Sequence, residues 1–136
     1  MKRILVIALS VAALSGGCAD PTPPAAPTPV DATTIEVFPG TLNLFGTNVI
    51  PFTVSQVGKV QVTLNSVVPS AAIGIAVGTP SVATGTCIAI SGLTAVGGPD
   101  IQISGTATIT GNYCIQVSDV GNLVEAVTYT ITVAHS

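Results

Sequence analysis

The stretch "GNYCIQVSDVGN", residues 111–122, has the pattern of a β-strand that runs into a turn. Its first half alternates apolar and polar side chains, with Tyr113, Ile115 and Val117 on the apolar side. An alternation with a period of two is typical of a strand with one buried face. Cys114 lies on the opposite side and is therefore expected to point away from the core. The stretch predicts a half-buried strand and raises the question of which residue pairs with Cys114.

The same alternation recurs in seven further short runs, each bounded by Gly, Pro, Asn or Asp. No run shows the apolar period of a helix. Strands with a single apolar face predict two antiparallel sheets packed face to face, and eight strands suit a jelly roll. We therefore expect an all-β, jelly-roll-like antiparallel β-sandwich over residues 34–136. The predicted strands lie near residues 34–38, 48–54, 58–64, 72–77, 87–90, 100–104, 112–118 and 126–133.

Cys87 has the same orientation in its strand as Cys114, because Ile88 and Ile90 take the apolar side. Both thiols are thus expected on the outer face of a sheet. Thiols in an oxidising compartment tend to form disulfides. The pattern predicts a Cys87–Cys114 bridge between neighbouring strands, and two independent thiols are the alternative.

The charge balance argues against nucleic acid as a partner. Only 7% of the residues are charged, whereas 48% are hydrophobic. After position 18, Lys59 is the only basic residue against six carboxylates, a net charge of −5. A phosphate backbone is bound by clusters of Lys and Arg, and this segment has none.

The first eighteen residues, "MKRILVIALSVAALSGGC", have the pattern of an export signal. A basic start, an apolar run too short to span a bilayer and small residues follow in the order of a signal peptide. "LSGGC" resembles the lipobox of bacterial lipoproteins, with Cys18 as the lipidated residue, and cleavage by ordinary signal peptidase is the alternative. Lipid on Cys18 would leave an even number of thiols. Ala19 then resembles an outer-membrane sorting signal. We expect an exported, outer-membrane-anchored lipoprotein that contacts the membrane through its lipid.

Residues 19–33, "ADPTPPAAPTPVDAT", contain five of the ten prolines. Proline-rich segments favour extended polyproline II and serve as semi-rigid spacers. This composition predicts a tether between the anchor and the folded domain, and a proline-rich ligand for another protein is the alternative.

Two parts of the domain resemble the bacterial pre-peptidase C-terminal domain. "GNYCIQV" and "YTITV", residues 111–117 and 129–133, match its closing strands, and "IPFTVSQVGKVQVTL", residues 50–64, matches an earlier element. The resemblance implies a jelly-roll-like sandwich with a non-catalytic accessory role beside secreted enzymes. An acidic "D-x-D-L" often found in that family is replaced here by "AIGIAV", residues 72–77, so a calcium site is not implied.

The sequence offers little chemistry. The single histidine, His135, is next to last and is expected to fray beyond the final strand. Asp119, Asn122 and Glu125 stand close together in "SDVGNLVE", where oxygen ligands for calcium or a plain turn are the two interpretations, and the turn is favoured. We therefore predict no catalytic site, no metal and no cofactor.

These patterns favour a surface-anchored, non-enzymatic binding or adhesion module. Recognition would use loops at the sandwich ends, such as residues 97–100 and 119–122, because loops on a rigid scaffold usually carry contacts. The expected partner is a glycan or an envelope protein. The alternative function is that of a structural accessory or assembly subunit of a cell-envelope complex, joined through an edge strand.

Overall fold

The structure, a computed structural model, describes Gly17, Pro24 and residues 33–136. The signal peptide, Cys18 and nearly all of the tether lie outside the described residues. No helix in the described part of the chain has the length and apolarity needed to cross a membrane. The described residues form eight strands: β1 (Thr34–Leu42), β2 (Thr47–Val54), β3 (Gly58–Val68), β4 (Ile73–Pro80), β5 (Cys87–Gly97), β6 (Gln102–Ala107), β7 (Gly111–Ser118) and β8 (Val127–His135).

The strands form two four-stranded sheets, with the orders β1-β8-β3-β6 and β2-β7-β4-β5. Every neighbouring pair is antiparallel. Consecutive strands mostly alternate between the sheets, and this order is that of an eight-stranded jelly roll. The predicted all-β sandwich is confirmed, and each predicted strand coincides with an observed one.

The core lies between the two sheets and consists of the apolar side of each alternation. Val62, Leu64, Ile131 and Val133 of the first sheet are fully buried against Ile75, Ile115 and Val117 of the second. Burying a Val, Leu or Ile side chain contributes about 1.5–3 kcal/mol. Ile, Val and Leu therefore supply most of the stabilising contact, in a domain with few aromatic side chains.

The first half of β5 departs from the expected burial. Ile88 is 58% exposed and Ile90 is 37% exposed, although both were expected in the core. The pairing of β4 with β7 ends at Gly78, so the part of the β4–β5 hairpin beyond this residue is paired only within itself. Residues 90–93 of β5 then face a single residue of β4, and this bulge reverses which side of β5 faces the core.

The Cys87–Cys114 disulfide is confirmed, with 5.8 Å between the two Cα atoms. The expectation that it joins neighbouring strands is wrong, because β4 lies between β5 and β7 in the sheet. Gly78, near the end of β4, pairs with Cys114 and is packed so closely on β5 that an added Cβ would overlap the Ile88 carbonyl oxygen. Both cysteines are buried although they lie on the outer side of their strands. The disulfide thus ties the part of the hairpin beyond Gly78 to β7.

His135 also differs from the expectation. It belongs to β8, is buried, and its ring lies 5.8 Å from the ring of Phe52. The alternation of β8 continues to this residue, so the imidazole takes an inward position in the sandwich. Its Nδ1 lies 3.1 Å from the Ser136 carbonyl oxygen, and Nε2 lies 3.8 Å from Glu36 Oε1 without a hydrogen bond. The idea of a fraying terminus is wrong.

We predict that Cys114→Ser lowers the free energy of unfolding by roughly 2–4 kcal/mol, because the disulfide closes a loop of 27 residues. Urea denaturation of the oxidised wild type and the variant measures the difference. The double variant Cys87→Ala/Cys114→Ala is the control for the free thiol, and it should be destabilised to a similar degree. An unchanged unfolding midpoint in both variants would contradict a stabilising role for the bridge.

Candidate functional site

Four connections lie at one end of the sandwich, which we call the loop end. They are residues 43–46, 69–72, 98–101 and 119–126, and they include both loops that the sequence suggested for recognition. The connections at the opposite end are residues 55–57, 81–86 and 108–110. β1 begins and β8 finishes at that opposite end. The chain before Thr34 therefore enters the domain at the end remote from residues 119–126.

The Asp119 carboxylate organises the loop end. Oδ1 accepts hydrogen bonds from the backbone N–H groups of Gly121, Asn122 and Leu123, at 2.8, 3.2 and 3.3 Å. Oδ2 accepts one from the N–H of Phe45 in the β1–β2 turn, at 2.8 Å. Asp119 thus closes its own turn, as the sequence suggested, and also joins that turn to a second loop, which the sequence did not reveal.

These bonds lower the pKa of Asp119, and the Phe45 N–H is the largest cause. The N–H groups of Gly121, Leu123 and Asn122 act in the same direction, and partial desolvation opposes them. Hydrogen bonds donated to a carboxylate favour its charged form. Asp119 is therefore ionised at neutral pH, and its charge holds the two loops together.

The β1–β2 turn places Phe45 in an unfavourable backbone conformation. The Gly46 N–H donates to the Asn43 carbonyl at 2.9 Å and closes the turn, and Phe45 has a φ of 56°. Turns with positive φ at this position favour Gly or Asn, because a side chain is crowded there. Such a conformation in another residue costs about 1–3 kcal/mol and persists only when its surroundings impose it. The Asp119 bond to the Phe45 N–H is one such constraint.

Phe45 is also exposed, with 87% of its surface open to solvent. Two further apolar side chains are exposed in the same two loops, Val124 at 88% and Leu44 at 41%, whereas Val120 lies against Gly74 on the outer face of the second sheet. We call Leu44, Phe45 and Val124 the apolar tip. Asp119 connects the two loops that carry these side chains. Its carboxylate binds the N–H groups of Phe45 and Leu123, and its own N–H donates to the Gly46 carbonyl at 3.1 Å.

Asn122 and Glu125, the other two candidate ligands, lie in the same loop but do not form a common site with Asp119. The Asn122 side chain donates to the Ala72 carbonyl at 3.5 Å and so bridges to the β3–β4 loop. Glu125 is exposed beside a cleft of about 140 Å³, whose lining also includes Val124 and Pro69. The Asp119 oxygens accept four N–H bonds, which favours the turn over the calcium interpretation. Within residues 33–136, no three His, Cys, Asp or Glu side chains are grouped as a metal site requires.

Sequence reasoning did not identify Phe45 and Leu44. The available signal was an aromatic residue directly before a glycine, "NLFG", between two alternating runs. A turn with that composition exposes its apolar residues, because the flanking strands already fill the core. The bond to Asp119 depends on the tertiary fold, since the two residues are 74 positions apart.

No family model matches the chain, and no curated protein matches it. Several solved structures are similar in fold, and two of them illustrate the likeness. One is the mitogen derived from Yersinia pseudotuberculosis, YPM, with a TM-score of 0.54 and 14% identity over 77% of this chain and 88% of that one. The other is Aeromonas hydrophila PliG, a periplasmic lysozyme inhibitor of g-type lysozyme, with a TM-score of 0.52 and 19% identity over 77% and 89%. At these identities the likeness shows the sandwich fold alone.

We predict that the Asp119 contacts are lost on acidification. Because the pKa of Asp119 is lowered in the folded state, its stabilisation is fully present above the ordinary carboxyl pKa and is lost as the pH falls through the lowered value. The amide proton shifts of Phe45 and Asn122, followed by NMR from neutral to strongly acidic pH, should move together with the titrating carboxyl. Asp119→Asn should abolish that step, whereas Glu125→Gln should leave it in place. A Phe45 amide that does not respond to Asp119 would disprove the coupling.

Proposed function

We propose that the protein is an exported, non-enzymatic binding module that contacts a partner protein through the apolar tip. The observation that carries this proposal is Phe45, which is exposed and also strained. Strained residues that their surroundings hold in place cluster at ligand-contact sites. An exposed aromatic residue is also a common anchor in protein interfaces, where it fills a pocket of the partner.

The free-energy costs of exposing the Phe45 side chain and of its positive φ are not offset by side-chain contacts inside the domain. An aromatic side chain that is 87% exposed buries little apolar surface, and a positive φ adds strain. Gly at this position would remove both costs. A binding contact explains why a chain would keep Phe there, because stability is commonly sacrificed where function needs it.

The end of the sandwich at which the chain enters the domain suits an anchored module. β1 starts at the end opposite to the apolar tip. If Cys18 carries the lipid and residues 19–33 form the tether, the membrane lies towards the start of β1 and the apolar tip points away from it. Export, lipidation, outer-membrane anchoring and membership of the pre-peptidase C-terminal group are parts of this proposal that rest on the sequence.

The structural neighbours are compatible with a contact role. PliG is a lysozyme inhibitor, so one protein with this fold is a binding protein. The apolar tip also favours a protein partner over a glycan, because Leu and Val side chains fill an apolar pocket and offer no hydrogen bonds to hydroxyl groups.

An assembly role is the second candidate, and β1 is the observation that favours it. β1 is an edge strand of its sheet and exposes Ile35 and Val37 on its outer side. An exposed apolar edge strand is a site for pairing with another chain. This candidate places the contact on β1 and not on the apolar tip.

We predict that a photoreactive phenylalanine analogue at position 45 forms covalent adducts with one partner protein in the producing cell. The matched control is position 82, because Val82 is fully exposed at the opposite end. Position 35 tests β1, and an adduct with a second copy there would favour assembly. Adducts at 82 or 35 with none at 45 would contradict the proposed contact.

The variant Phe45→Gly separates contact from stability. Relief of the positive φ should raise the free energy of unfolding by roughly 1 kcal/mol, after allowing for the flexibility of glycine. Unlabelled wild-type protein should compete with cross-linking at position 45, and the Phe45→Gly protein should not. Competition equal to that of the wild type would show that the Phe45 side chain makes no contact.

We predict that the mature protein carries diacylglycerol on Cys18 and lacks residues 1–17. Intact mass of membrane-extracted protein measures both features. Cys18→Ala should release the protein from membranes, whereas Cys87→Ala/Cys114→Ala should leave it anchored. An unmodified mature N-terminus would contradict the lipid anchor.

A further inference from the structure

We propose that the partner surface which receives the apolar tip is positively charged. This inference rests on the proposed function and adds the chemistry of the partner. The site itself is the apolar tip, and the carboxylates around it select the partner. Two observations carry the argument, the position of every charge in the described chain and the lack of a basic residue at the loop end.

Charges in residues 33–136 are separated between the two ends. Asp100, Asp119 and Glu125 belong to connections at the loop end. Lys59 is the only Lys or Arg in this range, and it begins β3 at the opposite end together with Glu36 of β1. The loop end therefore carries three negative charges and no positive one, while Lys59 and Glu36 contribute one charge of each sign at the opposite end.

The carboxylates at the loop end are not neutralised within the domain. Asp119 is bound by backbone N–H groups, which keep it ionised and do not cancel its charge. Among the described residues, the contact between an acidic and a basic side chain is that of Glu36 Oε1 with His135 Nε2, at 3.8 Å and at the other end. The negative potential at the loop end thus extends into solvent, where it attracts cations within about 10 Å at ordinary salt.

The loops that carry the apolar tip also carry two of the carboxylates, and a protein interface likewise combines an apolar centre with a polar border. Asp119 accepts a hydrogen bond from the Phe45 N–H, and Glu125 directly follows Val124. Charges at an interface border mainly raise the association rate and exclude partners of like charge. A partner surface with basic side chains around an apolar recess would complement both the carboxylates and the apolar side chains of the loop end.

A lipid surface is the competing occupant for exposed Phe, Leu and Val side chains. Anionic lipids attract basic segments to a membrane, and a loop end with three carboxylates is repelled by them. The same charges that favour a basic protein therefore act against insertion into an anionic bilayer. The charge pattern therefore favours a basic protein over an anionic membrane as the partner of the apolar tip.

The test uses two amphipathic peptides with the same leucine pattern, one with lysine and one with glutamate at the polar positions. Isotope-labelled full-length protein is titrated with each peptide and followed by NMR. We expect the lysine peptide to shift the amides of residues 44–46 and 120–124, with an affinity about tenfold above that of the glutamate peptide at low salt. Raising NaCl from about 0.02 M to about 0.3 M should remove most of this preference.

A charge variant and a matched control locate the effect. Asp100→Asn/Glu125→Gln should remove most of the preference for the lysine peptide while the same amides still shift. Glu36→Gln removes one carboxylate at the opposite end and should leave the preference intact. Vesicles of phosphatidylcholine, with and without phosphatidylglycerol, form the lipid arm and should shift none of these amides.

The outcomes distinguish this inference from the proposed function. Equal binding of the two peptides at residues 44–46 and 120–124 would overturn the charge preference and support the docking site. Vesicle binding at the same amides would assign the apolar tip to a membrane and overturn the inference. If neither peptide shifts these amides, both the inference and the docking site fail.

Discussion

The candidate site depends on the hydrogen bonds that the Asp119 carboxylate accepts. The carboxylate accepts N–H bonds from its own turn and from Phe45, and so fixes two connections that each cross from one sheet to the other. Without it, the β1–β2 turn would keep the Gly46–Asn43 bond that closes it and the backbone bond from the Asp119 N–H to the Gly46 carbonyl. Because the bonds favour the ionised carboxylate, the same group that orders the loops also gives the loop end part of its negative charge. Asp119 therefore both orders the two loops and contributes to the negative charge of the loop end.

The rest of the domain acts as a rigid support for that end. Eight strands bury an aliphatic core, and the Cys87–Cys114 bridge ties to β7 the part of the β4–β5 hairpin that does not pair with it. A scaffold of this kind can hold one exposed residue in a strained backbone, because the strain is small compared with the stability of the whole sandwich. Phe45 is thus displayed in a fixed position, which lowers the ordering cost of binding.

Local patterns predicted the fold well, because strand burial is recorded in a period of two. They failed where tertiary packing decides. In β5, the alternation at Ile88 and Ile90 could not show that this part of the hairpin stays exposed and that the hairpin stops pairing with β7 at Gly78. The disulfide could be predicted because the two cysteines have the same orientation in their strands. That β4 lies between those strands depends on the order of strands in the sheet, which the alternation of residues does not specify. The turn at Asp119 was predicted from its residues, whereas its bond to Phe45 joins positions 74 apart in the chain.

The central claim is that Phe45 is held rigidly in a left-handed backbone conformation while its side chain is exposed. Backbone amide relaxation of the free protein by NMR tests this most directly, because it reports the order of the β1–β2 turn without a partner. The account predicts an order parameter for the Phe45 amide of about 0.85, the value of a rigid backbone, with a fall after Asp119→Asn. A value below about 0.6 in the wild type would mean that the turn is mobile, and it would contradict a preformed contact site.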